Sequence, residues 1–294
     1  EALGREVVVS AEEIVAEIPS WFVDPERACP ATTYYESAQV HGALEPVEAP
    51  EEKARVLQAL MAKFQPEGRH VPITADDPLY RAAVRGLLIA RVSLERLDGK
   101  SKLGQNRTPE ELARILALLW QRGRPGDDVA IERVRAANPA IPTAPFLRGP
   151  PGARLHSALA PDAPDRASEA ARLLAGAYWN EGVPLEAIAQ VQRASTAWVG
   201  ATDGSGRLIA TARAVSDGVK QAFIFDVMVD PAERGRGLAL ALLRLLLDHP
   251  SVRQAKVVRL GTKDAQPLYR RLGFVEHGTG PHGHPEMILR RPIV

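Results

Sequence analysis

The chain has 294 residues, of which 45% are apolar and 25% charged, and its formal net charge is +1. This is globular composition with enough apolar residues for two domains. The near-neutral balance excludes binding to nucleic acid or membrane through overall charge, and no apolar run approaches the ~18 residues of a membrane-spanning helix. The single cysteine, Cys29, excludes an internal disulfide and indicates a cytoplasmic protein. Because the chain starts at Glu1 without Met or a signal-peptide pattern, we expect a fragment or a missing natural start.

A proline-rich segment divides the chain. Residues 138–154 read NPAIPTAPFLRGPPGAR, and five prolines in this stretch exclude a continuous helix or a central strand. We therefore predict an interdomain linker at 138–154 between a first domain, 1–137, and a second domain, 155–294.

The first half is predicted to contain strands with helical insertions. Strand-like patterns cover Glu6–Ser10, Tyr34–His41 and Leu87–Leu97. An amphipathic helix is predicted at Glu51–Phe64, with one apolar stripe formed by Val56, Leu57, Leu60, Met61 and Phe64. A second helix is predicted at Thr108–Arg122, because Thr108 and the Glu three residues later form a capping-box pattern around a proline at the first helical position.

The second half alternates between strands and helices in a pattern typical of a mixed α/β sheet, with a helix that crosses over between two central strands. The predicted strands are Arg154–Ala158, Ala197–Ala201, Gly206–Val215, Gln221–Val229, Lys256–Leu260 and Glu286–Arg290. The predicted helices are Asp165–Tyr178, one after Pro184, Gly237–His249 and Asp264–Leu272.

The segment with the clearest chemistry is a strand that runs through Asp230–Pro231 into a glycine-containing loop and a leucine-rich helix. Gly235 and Gly237 lack Cβ, so the backbone can turn sharply and a ligand can approach its N–H groups. At a helix start about four of these donors lack partners, and the helix dipole adds positive charge. Together with Arg234 and Arg236 they predict a phosphate cradle; the alternative is a tight turn with a helix cap.

Two motifs in the second half resemble the GNAT superfamily of acetyltransferases. Arg234-x-x-Gly237-x-Ala239 is similar to the family's Arg/Gln-x-x-Gly-x-Gly/Ala motif, and the stretch from Leu268 to Phe274, with Gly273, is similar to its second signature. Order and spacing agree over the second half of the chain. The resemblance implies a mixed α/β acetyltransferase domain that takes acetyl-CoA, in which an amine attacks the thioester directly.

The resemblance also implies where the cofactor lies. The strands Gln221–Val229 and Lys256–Leu260 would splay apart, and the pantetheine arm would pair with exposed backbone groups in the split. The residues implied to hold acetyl-CoA are Val227, Met228, Val229, Arg234, Gly235, Arg236, Gly237, Leu238, Ala239 and Asp264.

Proton transfer requires two further groups. Tyr269 matches the family tyrosine placed near the cofactor sulfur, where a phenol that is protonated at neutral pH can donate a hydrogen bond; the alternative is that its ring only packs in the core. Asp226 is the nearest carboxylate on the central strand and the candidate base. Many relatives carry the acid one position earlier, where this chain has Phe225, so Asp226 equally fits a role in bracing the loop.

The first half resembles FMN-binding split barrels of the pyridoxamine-phosphate-oxidase-like superfamily. The resemblance is most specific in the stretch from Gly99 to Arg107, GKSKLGQNR, and covers roughly residues 5–135. It implies a split β-barrel, incomplete at its start, and FMN near Lys102, Gln105 and Asn106. Such barrels usually pair, so a homodimer is implied; the alternative for the basic loop is a solvated turn.

The leading hypothesis is an α+β two-domain N-acetyltransferase whose acceptor is a small-molecule or peptide amine, with a flavin-type domain for sensing or dimerisation. The alternatives are a flavin redox or regulatory protein with an accessory CoA-binding domain, and a regulator that only binds ligands. No metal is predicted, because His282 and His284 stand alone in a Gly/Pro-rich loop. Tyr178, Trp179 and Asn180 are candidates for the acceptor pocket, or for the core.

Overall fold

The computed structural model describes residues 4–160, 165–280 and 283–292. The chain forms two compact units. The first comprises residues up to 13 together with 35–101, and the second comprises 14–34 together with the chain from 102 onward. No helix among the described residues is long and apolar enough to cross a membrane.

The first half is built on a four-stranded antiparallel sheet in which β1, β2 and β3 are neighbours in that order and β4 also pairs with β2. The sheet does not close into a barrel over the described residues. Its elements are β1 Glu6–Ile18, β2 Thr32–Pro46, α1 Pro50–Phe64, α2 Arg81–Gly86, β3 Ala90–Val92 and β4 Arg96–Lys102.

Helix α1 forms where it was predicted, but the predicted apolar stripe is not its buried face. The buried residues are Lys53 and Ala54, and Ala54 packs with Ala75 and Val84. The predicted stripe is largely exposed, with 43% exposure at Val56, 50% at Leu60 and 73% at Phe64. The face that packs is rotated toward Ala54, because α1 meets α2 and the loop before it on that side.

The single strand predicted at Leu87–Leu97 is wrong. The chain instead leaves α2 at Gly86 and pairs with β2 through the short strand β3. It then turns, and the longer strand β4 begins at Arg96. At the turn the Ser93 side chain accepts a hydrogen bond from Ala43 N (2.8 Å) and donates one to Glu95 (2.9 Å), which stabilises the break.

Two helices follow the first sheet and belong to the second compact unit. Helix α3, Pro109–Arg122, begins with the predicted capping box, since Thr108 accepts from Glu111 N and the Glu111 carboxylate accepts from Thr108 N. The sequence analysis did not predict α4, Asp127–Ala137, whose buried residues include Glu132, Arg133 and Arg135.

The second unit contains a seven-stranded mixed sheet with the order β10-β11-β9-β8-β7-β6-β5. Strands β8 and β9 are parallel and are connected by the crossover helix α7, as predicted. The sequence analysis missed only β10 among these strands. The elements are β5 Arg154–His156, α5 Arg166–Leu174, α6 Leu185–Arg193, β6 Ala197–Thr202, β7 Leu208–Ser216, β8 Gln221–Val229, α7 Leu238–Asp248, β9 Val257–Gly261, α8 Gln266–Arg270, β10 Val275–Thr279 and β11 Pro285–Arg290.

The predicted linker, residues 138–154, lies within the second unit. It contains a short 3-10 turn, Pro145–Leu147, and buries Ala144 and Leu147, whose exposed fractions are 2% and 1%. The predicted domain limits stay a prediction about which parts of the chain fold independently.

Candidate cofactor site

A β-bulge at Asp226 shapes the central strand β8. Before the bulge, Ala222 and Ile224 face the main core; after it, Val227 and Val229 face the same core. The alternation therefore shifts by one residue at Asp226, where the register with β7 is interrupted and φ is +54°. Asp tolerates this left-handed conformation better than most residues. The bulge thus bends the strand at its middle and reverses the side to which the side chains of its last three residues point.

Strands β8 and β9 separate beyond the bulge. They pair only at Gln221–Val257, Ala222–Val258 and Phe223–Arg259, although β8 continues to Val229 and β9 to Gly261. Among the described residues, no strand lies beside residues 224 to 229 of β8 on the β9 side. A sheet edge of this kind can accept an extended ligand as an added strand, which agrees with the predicted split.

The loop between β8 and α7 is open toward solvent. Gly235 and Gly237 have φ of +79° and +83°, and a Cβ built on either would meet no atom within 4 Å. Gly237 is the N-cap of α7. The backbone N–H groups of residues 235–239 bond to no acceptor in the part of the chain that the structure describes. Unpaired donors at the positive end of a helix dipole form an anion site.

The two arginines of this loop are turned away from its N–H groups. Arg234 Nε donates to Val229 O (3.3 Å), which holds the end of β8 against the loop. Arg236 pairs with Glu233, and its Nη2 donates to Pro151 O (2.6 Å). As placed, these side chains brace the loop, and the donors that remain for a ligand are backbone groups.

Tyr269 lies on α8 and is buried, with its ring against Phe274 at 5.9 Å between centroids. Burial raises the pKa of its hydroxyl well above the ordinary value, and the neighbouring Tyr178 and Asp264 raise it further. The hydroxyl bonds to no described residue, and it is not among the enclosed polar atoms without a partner, so it faces accessible space. It is therefore a protonated donor with a free hydrogen bond to give.

The Asp226 carboxylate is shared by three donors. Trp179 Nε1 donates to Oδ1 at 3.0 Å, while Gln192 Nε2 and Arg213 Nε donate to Oδ2 at 2.9 and 2.5 Å. These donors come from the turn after α5, from α6 and from β7. The carboxylate therefore ties two helical elements to the bulge of β8.

An exposed group of aromatic side chains surrounds this carboxylate. The rings of Tyr178 and Trp179 contact each other edge to face, with their centroids 4.9 Å apart. Tyr178 is 48% exposed and Trp179 is 42% exposed. Phe223 and Phe225 stack at 5.6 Å on β8, and the Arg213 guanidinium lies 4.8 Å from the Phe225 ring centroid. The sequence analysis proposed Tyr178 and Trp179 but missed the phenylalanines, because alternation along a strand does not tell which face stays uncovered.

Further contacts place Tyr178 close to the opposite side of the split. Lys263 Nζ lies 5.4 Å from its ring centroid, and the His284 ring contacts it at 5.4 Å. His282 lies outside the described residues. Within the described ranges, no group of three His, Cys, Asp or Glu side chains is arranged to hold a metal ion.

Two of the residues predicted to hold FMN bond to other groups of the chain. Lys102 Nζ donates to Thr32 Oγ1 at 2.5 Å, and Gln105 Oε1 accepts from Leu103 N at 2.8 Å. Asn106 is exposed on the following turn. As placed, Lys102 and Gln105 are engaged by groups of the chain itself, and Asn106 is open to solvent. FMN binding by this chain stays a prediction.

Comparison with known proteins divides the chain in the same way as the motifs. Residues 156–274 match the family model described as Acetyltransferase (GNAT) family, and residues 2–101 match the one described as Pyridoxamine 5'-phosphate oxidase. Both resemblances stated from the sequence are thereby confirmed.

Two curated relatives match parts of the chain. The Uncharacterized N-acetyltransferase ycf52 of Porphyra purpurea is 36% identical over 85 residues, which are 28% of this chain and 47% of that protein. The chloroplastic Serotonin N-acetyltransferase 2 of Oryza sativa subsp. japonica is 36% identical over 75 residues, 25% of this chain and 38% of that protein. The chain thus spans less than half the length of either relative.

Among solved structures, the chain is similar to a protein of Xanthomonas campestris pv. campestris that is described as belonging to the GNAT family. The two are 29% identical, and the match covers 50% of this chain and 96% of that one, with a TM-score of 0.39.

Proposed function

On the premise that residues 156–274 form a domain of the GNAT acetyltransferase family, we propose that the protein is an acetyl-CoA-dependent N-acetyltransferase. The observation that carries the proposal is the split between β8 and β9, which leads at one end to an open loop of unpaired N–H groups at the start of α7. An extended ligand with a pyrophosphate fits both features at once.

The backbone of β8 and of the loop would bind the cofactor. Val227, Met228 and Val229 form the end of β8 beside the split, where the pantetheine amides would bond as an added strand to the main-chain groups of Val227 and Val229. The N–H groups between Arg234 and Ala239 would hold the pyrophosphate, and Leu238 N is included because it is the first N–H of the helix. Asp264, which lies close enough to Tyr269 to raise its pKa, is proposed at the far side of the split.

The reaction is the direct attack of a neutral amine on the thioester carbonyl. The C–N bond forms, the C–S bond breaks, and the departing thiolate takes a proton. We assign that donation to Tyr269, whose raised pKa keeps it protonated at neutral pH and whose hydroxyl is accessible. Tyr269 then regains its proton from solvent. The amine must also lose a proton, and Asp226 is the carboxylate of the central strand.

For Asp226 the contacts favour a positioning role over that of the base. Its two oxygens already accept three hydrogen bonds, so a further proton would compete with Arg213 and Gln192 for Oδ2. Loss of this carboxylate would release Trp179 and the turn after α5 from the bulge. The proton of the amine would then leave through solvent in the open split.

The acceptor is proposed to be a primary amine on a small molecule or a peptide, approaching over the exposed rings of Tyr178 and Trp179. One relative is named for serotonin, and that name describes the relative. We further propose that the protein is cytoplasmic and that the first half, with its match to the pyridoxamine phosphate oxidase family, acts as a dimerisation or flavin-sensing domain.

The first experiment is a calorimetric titration of acetyl-CoA into the full chain and into Gly237→Glu. The wild type should bind, and the variant should lose roughly 100-fold or more in affinity, because a carboxylate would enter a cradle of backbone donors. Gly218→Glu is the matched control, since Gly218 also has positive φ (+75°) and nothing within 4 Å of a Cβ, but it lies in the turn before β8.

Each outcome decides a different point. Binding that is lost in Gly237→Glu and kept in Gly218→Glu supports the loop assignment and justifies a screen of amines by thiol release. Equal affinity in all three proteins removes the loop from the site. A folded wild type that binds no acetyl-CoA overturns the proposed function.

A further inference from the structure

A cavity of about 490 Å³ runs along one face of α7, between the helix and residues 145–150. It begins at Gly237, the N-cap of the helix, and continues past Leu240 and Arg244. The opposite wall includes Phe146 and Arg148. The volume lies in the range of small-molecule sites.

The lining of this cavity combines an apolar floor with two arginines and one carboxylate, and therefore carries a net positive charge. Neither Arg148 nor Arg244 makes a side-chain hydrogen bond or an ion pair with another residue in the described ranges. Asp248, the only carboxylate in the lining, accepts from Trp120 Nε1 at 2.6 Å. Two exposed guanidinium groups that converge on one cavity form a site for a phosphate monoester.

The aromatic wall is rigidly held. Phe146 stacks on Trp120 with ring centroids 4.6 Å apart and planes 8° from parallel, and Trp120 is itself buried. With Leu240 and Ala241 on the helix side, the cavity offers flat apolar surface beside its two cations. A purine ring that carries a phosphorylated ribose has this combination of properties.

Position connects the cavity to the cradle. Gly237 belongs both to the cavity lining and to the loop assigned to the pyrophosphate, so a group joined to that pyrophosphate can enter the cavity directly. We infer that this cavity binds the adenosine 3'-phosphate half of coenzyme A, with Arg148 and Arg244 on the 3'-phosphate. The inference rests on the proposed function and adds to it a recognition element.

Half of this subsite comes from outside the segment that matches the acetyltransferase family. Residues 145–150 precede the matched residues 156–274. They are tied to the fold by the buried Leu147 and to the loop by the hydrogen bond from Arg236 to Pro151 O. The segment predicted as a linker therefore has a second role, as the outer wall of a nucleotide site.

The test compares coenzyme A with 3'-dephospho-coenzyme A, which differ only in the 3'-phosphate, by calorimetry on the full chain. The wild type should prefer coenzyme A by roughly tenfold or more, as two charge-assisted contacts allow. In Arg148→Ala/Arg244→Ala the preference should fall to within about twofold, while the affinity for the dephospho ligand stays unchanged. That unchanged affinity also shows that the variant is folded.

Arg55→Ala/Arg85→Ala is the matched control, because it removes two exposed arginines from the first unit and should keep the wild-type preference. Equal binding of both ligands by the wild type overturns the inference and leaves the proposed function standing. The inference is also overturned if the Arg148/Arg244 variant keeps the wild-type preference. A wild type that binds neither ligand overturns both the inference and the proposed function.

Discussion

The two compact units differ in how they use their apolar residues. In the first unit only four apolar residues are buried among those described, namely Val47, Ala54, Ala75 and Val84. Eleven large apolar residues of that unit are exposed, among them Phe64 at 73%, Leu79 at 70% and Leu88 at 74%. The second unit encloses a continuous core that extends from Ala16 to Met287.

The first unit, which is much the smaller, therefore leaves a larger share of its large apolar residues exposed than the second. A monomeric soluble protein rarely leaves this much apolar surface uncovered unless another surface packs on it. The predicted homodimer would supply that surface.

The second unit contains a buried ionic network. In this network Glu132 accepts hydrogen bonds from Arg135, from Ser157 and, at 3.1 Å, from His156.

The largest expected effect on stability comes from a substitution that breaks this network. Glu132→Ala should destabilise the second unit by about 3–5 kcal/mol, because the change leaves the buried Arg135 and His156 without their shared partner. The measurement is urea unfolding followed by far-UV circular dichroism, which reports on both units. Glu45→Ala is the control from the first unit, where the Arg91–Glu45 pair is exposed and should contribute less than about 1 kcal/mol. Equal losses would remove the contrast.

A second substitution separates chemistry from packing within the second unit. Tyr269→Phe should lower turnover by roughly 100-fold or more while acetyl-CoA affinity changes by less than about twofold, because the ring stays and only the donor is lost. Steady-state kinetics and calorimetry on the same preparation check this. Unchanged turnover would restrict Tyr269 to the packing role that its contact with Phe274 also suggests.

Acid should affect the second unit through Glu132. Burial alone would raise the pKa of this carboxyl, but the hydrogen bond from His156 and the charge of Arg135 outweigh burial and lower the pKa from 4.5 to about 2. A depressed folded-state pKa contributes stability that is complete above the unfolded value and is lost as pH falls toward the folded value. The urea concentration at the midpoint of unfolding should therefore decrease as the pH is lowered from about 4.5 to about 2. The decrease should be smaller in Glu132→Gln. If the midpoints of the two proteins depend on pH in the same way, the assignment is wrong.

The smallest effect on stability is expected at the exposed apolar stripe of α1. A substitution there also tests most directly whether the first unit needs another surface to cover its apolar residues. Phe64→Glu should change the free energy of unfolding by less than about 0.5 kcal/mol if the residue faces solvent in the single chain. In the predicted homodimer the same change should shift the mass measured by light scattering toward the monomer. A mass that is the same in both proteins would leave the exposed stripe without a function in dimerisation.

The second half of the fold was predictable because its sequence follows the rules on which such predictions depend. Strands β6 to β9 and helix α7 are apolar segments separated by turn residues. Glycines occur where the loop before α7 needs positive φ. Helix α4 was missed since Glu132, Arg133 and Arg135 look like a solvated face, whereas they are buried, and Glu132 and Arg135 also bond to Ser157 and Leu155 O, which are 20 or more residues away. No local pattern reveals such pairing.

The sequence predicted which segments of the backbone form the candidate site, but it did not predict most of the side-chain contacts within it. The glycine loop and Tyr269 stand where the motifs predicted them. The hydrogen bond from Arg236 to Pro151 and the three donors on Asp226 join segments far apart in the chain, and only the folded structure reveals them. Which residues of the candidate site act in catalysis stays a prediction.

The short pairing between β8 and β9 has a consequence for cooperativity. In the described part of the chain, three residue pairs join the strands β5 to β8 to the strands β9 to β11 within the sheet. Although the two groups of strands share one core, we expect the sheet to open first at this junction, at a lower free energy than global unfolding. A ligand bonded along both inner edges would couple them, so that occupancy of the split would decide whether the sheet unfolds in one step or in two.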